Sequence, residues 1–405
     1  MNNNKVHICF ILSVPLFPLK AGSFNCYRRA RALRNQGFRV TILTSRIQDP
    51  RWAQFRASTD LNGIKVLDCL PAKVGPRFFR HLTPLLFSWP LITITLRKER
   101  PDILHVINPP DVIPMIVSVV NRFLRIPYVF HMADPGPESV LSLTDLNSTK
   151  KSILLAVSKF MENIVIRQAK GMITVNEILR KRILATRKHL NNKPFIVQYN
   201  VSSLKPNNQN PGGLAGEKYI LYVGTLSTGM LGLESLINYF APIWHKYRAK
   251  LFIIGDGPLK TRLSRVIQST RAEEYVSLLG YMKPEYIPEY VRNASLCVIP
   301  YLDTVLTRIA TPTKLFEYIS MGKAVVYPDF PGFTEILGNT NPGMYHSGIS
   351  GDAIRVIDSL LKDDEIRKKT EEINRQIFCK FEYDSEIDKI VELYRRVLNE
   401  NPRSK

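Results

Sequence analysis

The chain has 405 residues, 45% of them hydrophobic and 22% charged, with 21 Gly and 27 Pro. That composition excludes a collagen-like or low-complexity chain and a disulfide scaffold. At roughly 100–200 residues per domain the length points to two domains, each with its own core. Charge is unevenly placed: residues 1–200 carry 30 basic and 11 acidic side chains, a net +19, and residues 201–405 carry 26 and 24, a net +2. Only the first half would be drawn to anionic lipid, nucleic acid or an acidic polymer.

The apolar run after Lys5, VHICFILSVPLF, reads as a buried first strand and not as a leader, because a basic helical pattern, Gly37 and a second apolar strand follow it. Strands are expected at Lys5–Leu12, Arg39–Thr44, Ile64–Cys69, Ile103–Val106, Tyr128–His131, Gly171–Val175 and Phe195–Tyr199. Runs such as ILHVI and YVF are continuously apolar, as in parallel strands covered on both faces. Helical stretches (Arg28–Asn35, Val112–Phe123 and Lys151–Gln168) lie between them, so the unit is βαβ and the sheet doubly wound. Lys205 to Lys218, KPNNQNPGGLAGEK, has linker composition. The pattern then restarts with strands at Tyr219–Val223, Lys250–Ile254, Val276–Leu279, Leu296–Pro300 and Lys323–Tyr327. The charged helical segment Lys362 to Asn399 would fold back across both domains.

These boundaries give an N-terminal domain over 1–204, a linker over 205–217, a C-terminal domain over 218–375 and a returning helix within 376–405. No apolar stretch reaches the ~18–20 residues of a membrane span, and the nearest, Leu82 to Leu96, holds Pro84 and Pro90. The five cysteines (Cys9, Cys26, Cys69, Cys297 and Cys379) are scattered, odd in number and lack C-x-x-C spacing, as expected of reduced thiols in a cytoplasmic protein.

Ligands of open α/β sheets bind outside the carboxyl ends of the strands, against glycine loops and helix starts. Gly22 and Ser23 stand where a helix begins after the first strand, without a G-x-G-x-x-G fingerprint. The second half opens with VGTLSTGMLG, holding Gly224, Thr225 and Gly229, and continues to IIGDGP from Gly255. In TRIATPTKLFEYISMGKAVVYPDFPGFTEIL, Lys314, Glu317 and Tyr318 are one helical turn apart and share a face. Thr311, Pro312 and Thr313 form the start, with threonine capping. A lysine near a helix start suits a diphosphate, and a carboxylate one turn on suits both ribose hydroxyls. The plain alternative is a surface i,i+3 ion pair.

The order of these motifs, glycine loops after the first strand of each half, then IIGDGP, LLGY, CVIPY and PTKLFEY…MGKAVV…PGFTEIL, resembles the family-4 glycosyltransferases of the GT-B fold, above all those building cell-surface polysaccharides. In the first half YVFHMADPGPES is similar to the family's acceptor-side segment, and Tyr199 and Asn200 match its asparagine before the second domain. The resemblance implies an α/β protein of two doubly wound Rossmann-like domains facing a central cleft. It implies transfer of a sugar from a nucleotide-sugar to a glycan or lipid-linked acceptor with retention, with neither cofactor nor bound metal. Carried over by position, Lys314, Asp134 and Arg308 would be catalytic, and Glu317 would hold the ribose. Gly22, Gly224, Thr225, Gly255, Tyr281, Thr313, Leu315, Gly332 and Phe333 would line the donor, and Ser23 and His131 the acceptor side.

Some positions depart from the family. The first glutamate of its paired motif falls on Ile309, its loop arginine and lysine on Thr225 and Leu231, and its histidine on Ala133, two residues after His131. Arg308 and Lys314 are the candidate substitutes for the missing cations. A second reading therefore stands beside the enzyme: a catalytically degenerate GT-B protein serving as a scaffold in glycan assembly. The segment Pro76 to Arg100, with Arg77, Arg80, Arg97, Lys98 and Arg100 around LLFSWPL, suits an anionic leaflet. The expected location is thus peripheral, on the inner face of the cell membrane. Nucleic acid is not an expected partner, since no zinc spacing, helix-turn-helix or basic-aromatic stripe is present.

Overall fold

The computed structural model describes residues 6–17, 21–46, 57–70, 82–107, 112–134, 136–139, 147–187, 190–202, 204, 217–227 and 230–400. The predicted linker therefore lies almost wholly outside the described residues, as do Gly229 and the stretch 76–81 with Arg77 and Arg80. The chain divides into two compact units, residues 1–199 with 384–405, and residues 200–383.

The first unit holds β1 (His7–Leu12), α1 (Ala21–Asn35), β2 (Arg39–Ser45), β3 (Ala57–Leu61), β4 (Ile64–Leu70), α2 (Leu82–Glu99), β5 (Ile103–Ile107), α3 (Val112–Leu124), β6 (Tyr128–Met132), α4 (Gly136–Ser139), α5 (Ser148–Gln168), β7 (Gly171–Thr174), α6 (Glu177–Thr186) and β8 (Phe195–Val197). Its sheet runs β3-β4-β2-β1-β5-β6-β7-β8. The apolar start of the sequence is the central strand β1, paired in parallel with β2 and β5 and buried along its length. Every pairing is parallel except β3 with β4. That hairpin is absent from the sequence-based elements, although its signal is Asn62-Gly63, both at positive φ, a pair suited to a two-residue turn.

Side chains alternate across β6. Tyr128 faces α3 and α5, its hydroxyl meeting Ser118 and donating to the Val165 carbonyl. His131, three residues on, faces the opposite side. The prolines do not interrupt the 82–96 stretch as expected, because α2 continues through Pro90. No described helix is long and apolar enough to cross a membrane.

The second unit holds β9 (Tyr219–Val223), α7 (Leu233–Asn238), α8 (Ala241–Tyr247), β10 (Lys250–Ile254), α9 (Lys260–Ser269), β11 (Val276–Gly280), α10 (Ile287–Asn293), β12 (Leu296–Val298), α11 (Val305–Ile309), α12 (Thr313–Ser320), β13 (Val325–Pro328), α13 (Pro331–Leu337), β14 (Met344–Tyr345), α14 (Asp352–Lys362) and α15 (Asp364–Phe378). Its all-parallel sheet runs β11-β10-β9-β12-β13-β14. The connections leave β9 toward β10 on one side and return to β12 on the other. The loops after β9 and β12 thus flank a switch point, where open sheets bind ligands.

The C-terminal segment is two helices, not one. α15 is capped by Asp363, and α16 (Tyr383–Glu400) returns to the first unit. There Ile387, Ile390, Leu393, Tyr394 and Val397 are buried. Gly171 lets α16 approach, since a Cβ there would meet Leu393 and Val397 at 3.0 Å.

Candidate active site

In the second unit two glycine loops are bonded to each other at the switch point. The amide of Gly224 donates to Ile254 O at 2.9 Å, that of Leu226 to Asp256 O at 3.0 Å, and that of Leu259 to Leu226 O at 3.0 Å. Gly255 has φ +144°, and a Cβ there would stand 1.9 Å from the Gly224 carbonyl oxygen. Only glycine permits both the backbone and the approach. Gly255→Ala is expected to destabilise the second unit by about 2 kcal/mol or more, read by denaturant unfolding. An unchanged midpoint would refute this account of the loop pair.

Gly224, at φ +153°, clears room for Lys314: a Cβ would lie 2.4 Å from its Nζ. Lys314 stands in the first turn of α12, and its ammonium donates to the Tyr222 hydroxyl at 2.8 Å. It also lies 4.0 Å from the centroid of the Tyr222 ring and 5.7 Å from that of Tyr301. Desolvation in this aromatic setting lowers the lysine to about 7, while Glu317 opposes the shift. Glu317, one turn on, is half-buried and accepts from the Ser202 hydroxyl at 3.2 Å. Tyr318, one turn from Lys314, also reaches the end of β9 but is fully buried, and its hydroxyl accepts from the Val223 amide at 2.8 Å, tying α12 to that strand.

The helix start also differs from the expectation. Pro312 is the N-cap residue and makes no side-chain cap, and Thr311 donates instead to the Gly332 carbonyl at 2.9 Å. Thr313 is half-buried beside Lys314. Leu315 is fully buried, and its amide already donates to Pro312 O, so its side chain is core. Gly332 packs against the carbonyls of Ile309 and Ala310, and Phe333 is buried between the rings of Tyr301 and Tyr327. Thr225 and Tyr281 are exposed at the ends of β9 and β11. Arg308 is exposed but engaged, its guanidinium forked onto Asp303 at 2.5 and 2.6 Å. Ile309 and Leu231 are buried, Leu231 within the apolar core of the unit, and Leu231 bridges to Tyr301. The structure thus gathers Gly224, Gly255, Lys314 and Glu317 and adds Tyr222, Tyr301 and Ser202, which sequence spacing did not reveal.

In the first unit, Gly22 is exposed in the first turn of α1, and a Cβ there would meet nothing within 4 Å. Ser23 beside it is buried. His131 is fully buried and hydrogen-bonds His105 through Nδ1 at 3.0 Å, while His105 reaches Tyr394 of α16 through its own Nδ1. Burial, with Arg29 next in effect, holds both imidazoles well below the usual histidine range, so both are neutral at pH 7. Nε2 of His131 is buried without a hydrogen-bond partner among the described residues. Asp134 is exposed just after β6.

Two doubly wound parallel sheets, each in its own unit, make this an α/β protein of the GT-B fold. Residues 205–377 match the family model described as Glycosyl transferases group 1, and residues 26–191 match the Glycosyl transferase 4-like domain. Together the matches take in most of the chain, which belongs to these glycosyl transferases. Alpha-D-kanosaminyltransferase of Streptomyces kanamyceticus is 25% identical over 191 residues, 46% of this chain and 47% of that one. Alpha-monoglucosyldiacylglycerol synthase of Acholeplasma laidlawii is 25% identical over 153 residues, 36% of each. The similarity thus spans half or less of these curated relatives. Sucrose-phosphate synthase of Thermosynechococcus elongatus shares the fold, with a TM-score of 0.75 at 16% identity over 98% of this chain and 100% of that one.

Proposed function

We propose that the protein transfers a glycosyl group from a nucleotide-sugar to a hydroxyl of a glycan or lipid-linked acceptor, with retention of configuration and without a metal ion. The observation that carries this reading is the pair Lys314 and Glu317 on successive turns of α12, beside the Gly224 loop. Glu317 would accept the two ribose hydroxyls. Lys314 and the start of α12 would neutralise the departing diphosphate, the stabilisation that such a transfer needs as charge develops. Ser23 and His131 belong to the acceptor side in this reading and Asp134 to the catalytic group, while Gly22 leaves space near the donor phosphate. A relative named for a glucosyl-diacylglycerol product supports a lipid-linked acceptor.

The role would be in cell-surface polysaccharide or glycoconjugate synthesis, peripheral to the cytoplasmic face of an anionic membrane. The +19 charge of residues 1–200 and the free thiols of Cys9, Cys26, Cys297 and Cys379 support that placement.

The test is transfer from radiolabelled UDP-glucose, GDP-mannose and ADP-glucose to lipid extracted from the source cells, with product configuration read by NMR. Label in an α-linked product, formed equally in EDTA, is expected. A β-linked product would overturn retention, and loss of transfer in EDTA would overturn metal independence. A second reading, a catalytically inactive scaffold, is favoured by Ile309 and Leu231, apolar and buried where the family pattern carries a carboxylate and a cation. Nucleotide-sugar binding without turnover would establish it.

A further inference from the structure

The crossover helix α5 is longer than the strands it connects. Its 21 residues span about 31 Å, whereas the five residues of β6 span about 17 Å. Its C-terminal end is fixed at the amino edge of the sheet. Lys193, just before β8, donates to the carbonyls of Ile166, Arg167 and Ala169 at 3.0, 2.7 and 2.9 Å, and the Lys170 amide donates to Tyr128 O. The excess length therefore projects from the carboxyl edge, the end at which His131 and Asp134 lie. Burial follows this geometry: Val165 and Ile166 are buried, whereas before Ser158 no residue of α5 is.

The projecting half is apolar along one stripe. Ile153, Leu154, Val157 and Phe160 are 61%, 37%, 46% and 66% exposed; Ile153, Val157 and Phe160 stand at the i, i+4 and i+7 positions of one helical face, and Leu154 lies at its edge. Such an exposed cluster on one face is a mark of an interaction site. The surrounding charge selects its occupant. Residues 147–170 hold Lys150, Lys151, Lys159, Arg167 and Lys170 against the single acid Glu162, a net +4. Glu162 is itself paired with Arg187 at 2.6 Å. Phe87, 57% exposed in the N-terminal half of α2, is a further exposed apolar side chain in this unit.

We propose that the overhanging half of α5 inserts its apolar stripe into the interface of an anionic phospholipid bilayer, with the lysines on the headgroups. This locates the docking element of the peripheral association proposed above on a helix other than the 76–100 segment that composition alone suggested. It rests on that reading only for the acceptor, since lipid binding itself needs no transfer. Docked in this way, the carboxyl edge of the first sheet would face the leaflet that holds a lipid-linked hydroxyl.

The experiment sediments the full-length protein with vesicles of 3:1 phosphatidylcholine and phosphatidylglycerol, and with phosphatidylcholine alone. Ile153→Ser/Val157→Ser/Phe160→Ser, all at exposed positions, is expected to lower partitioning onto the anionic vesicles roughly tenfold or more. In Phe160→Trp, the added emission should shift to the blue on anionic vesicles and be quenched by brominated acyl chains. Wild-type partitioning by the triple variant, or an unquenched Trp at 160, would overturn the proposal. So would conversion of a dimer to a monomer in the triple variant with vesicle binding intact, which would make the stripe a contact between copies. Titration of the same preparations with UDP-glucose, GDP-mannose and ADP-glucose reads the second unit separately. Nucleotide binding without vesicle binding sinks the docking alone, and the converse sinks the transferase reading alone.

Discussion

Glu317→Ala is expected to abolish nucleotide-sugar binding in calorimetric titrations in which the wild type binds one of UDP-glucose, GDP-mannose or ADP-glucose. A carboxylate accepting two ribose hydroxyls makes two charge-assisted hydrogen bonds, each worth about 1.5–3 kcal/mol. Their joint loss weakens binding at least roughly a hundredfold. Glu317 is well placed for the task, because the Ser202 hydroxyl, from which it accepts at 3.2 Å, is a neutral group that a ribose hydroxyl can replace. Glu317→Gln keeps one acceptor oxygen and should fall between the two. Undiminished binding in Glu317→Ala would remove the ribose assignment, and with it the observation on which the functional reading stands.

Lys314→Ala is expected to lower kcat by roughly 10²–10³, the usual effect of deleting one preorganised stabiliser of transition-state charge. The lysine also gives a signature of its own. Burial between Tyr222 and Tyr301 lowers it to about 7, so it is largely neutral at pH 8 and largely charged at pH 6. A diphosphate beside it favours the charged form and raises the value. Binding a nucleotide-sugar, whose diphosphate has no ionisation of its own near neutrality, should therefore take up a proton at pH 8 and almost none at pH 6. Affinity should decline as pH rises above about 7. Calorimetry in buffers of different ionisation enthalpy measures the uptake. Lys314→Arg, charged throughout, should bind without uptake. Equal heats in all buffers at pH 8 for the wild type would show that this ammonium does not meet the phosphates.

The cage around Lys314 shows where local spacing stops being informative. The one-turn relation of Lys314 and Glu317 is a property of α12 alone and is legible in PTKLFEY. Tyr222 and Tyr301 lie 92 and 13 residues away and arrive through the pairing of β9 with β12, which no periodicity encodes. Tyr318 illustrates the converse. By spacing it belongs with Lys314, yet its hydroxyl is drawn inward by the unpaired amide at the end of β9, a demand created only by packing. Arg308 looks in sequence like a replacement cation, and Asp303, five residues earlier, occupies it with a two-point fork.

The strands were readable because those buried on both faces must be continuously apolar, and β9 and β10 begin and end where the sequence places them. The hairpin β3–β4 is not legible in sequence despite its Asn-Gly turn, because its first strand, ASTDL, is short and holds only two apolar residues. What the amino-acid order determined by itself was therefore the alternation of elements, the two halves with their unequal charge, and the residues sharing one turn of one helix. The tertiary structure alone decided which distant side chains surround Lys314, how α16 meets His105, and how far α5 overhangs its sheet. The reason is physical. Backbone periodicity reports only which face of its own element a residue occupies, whereas the partners on that face, and the length of helix left beyond a strand, follow from strand order and from the mismatch between a rise of about 1.5 Å and one of about 3.3 Å per residue.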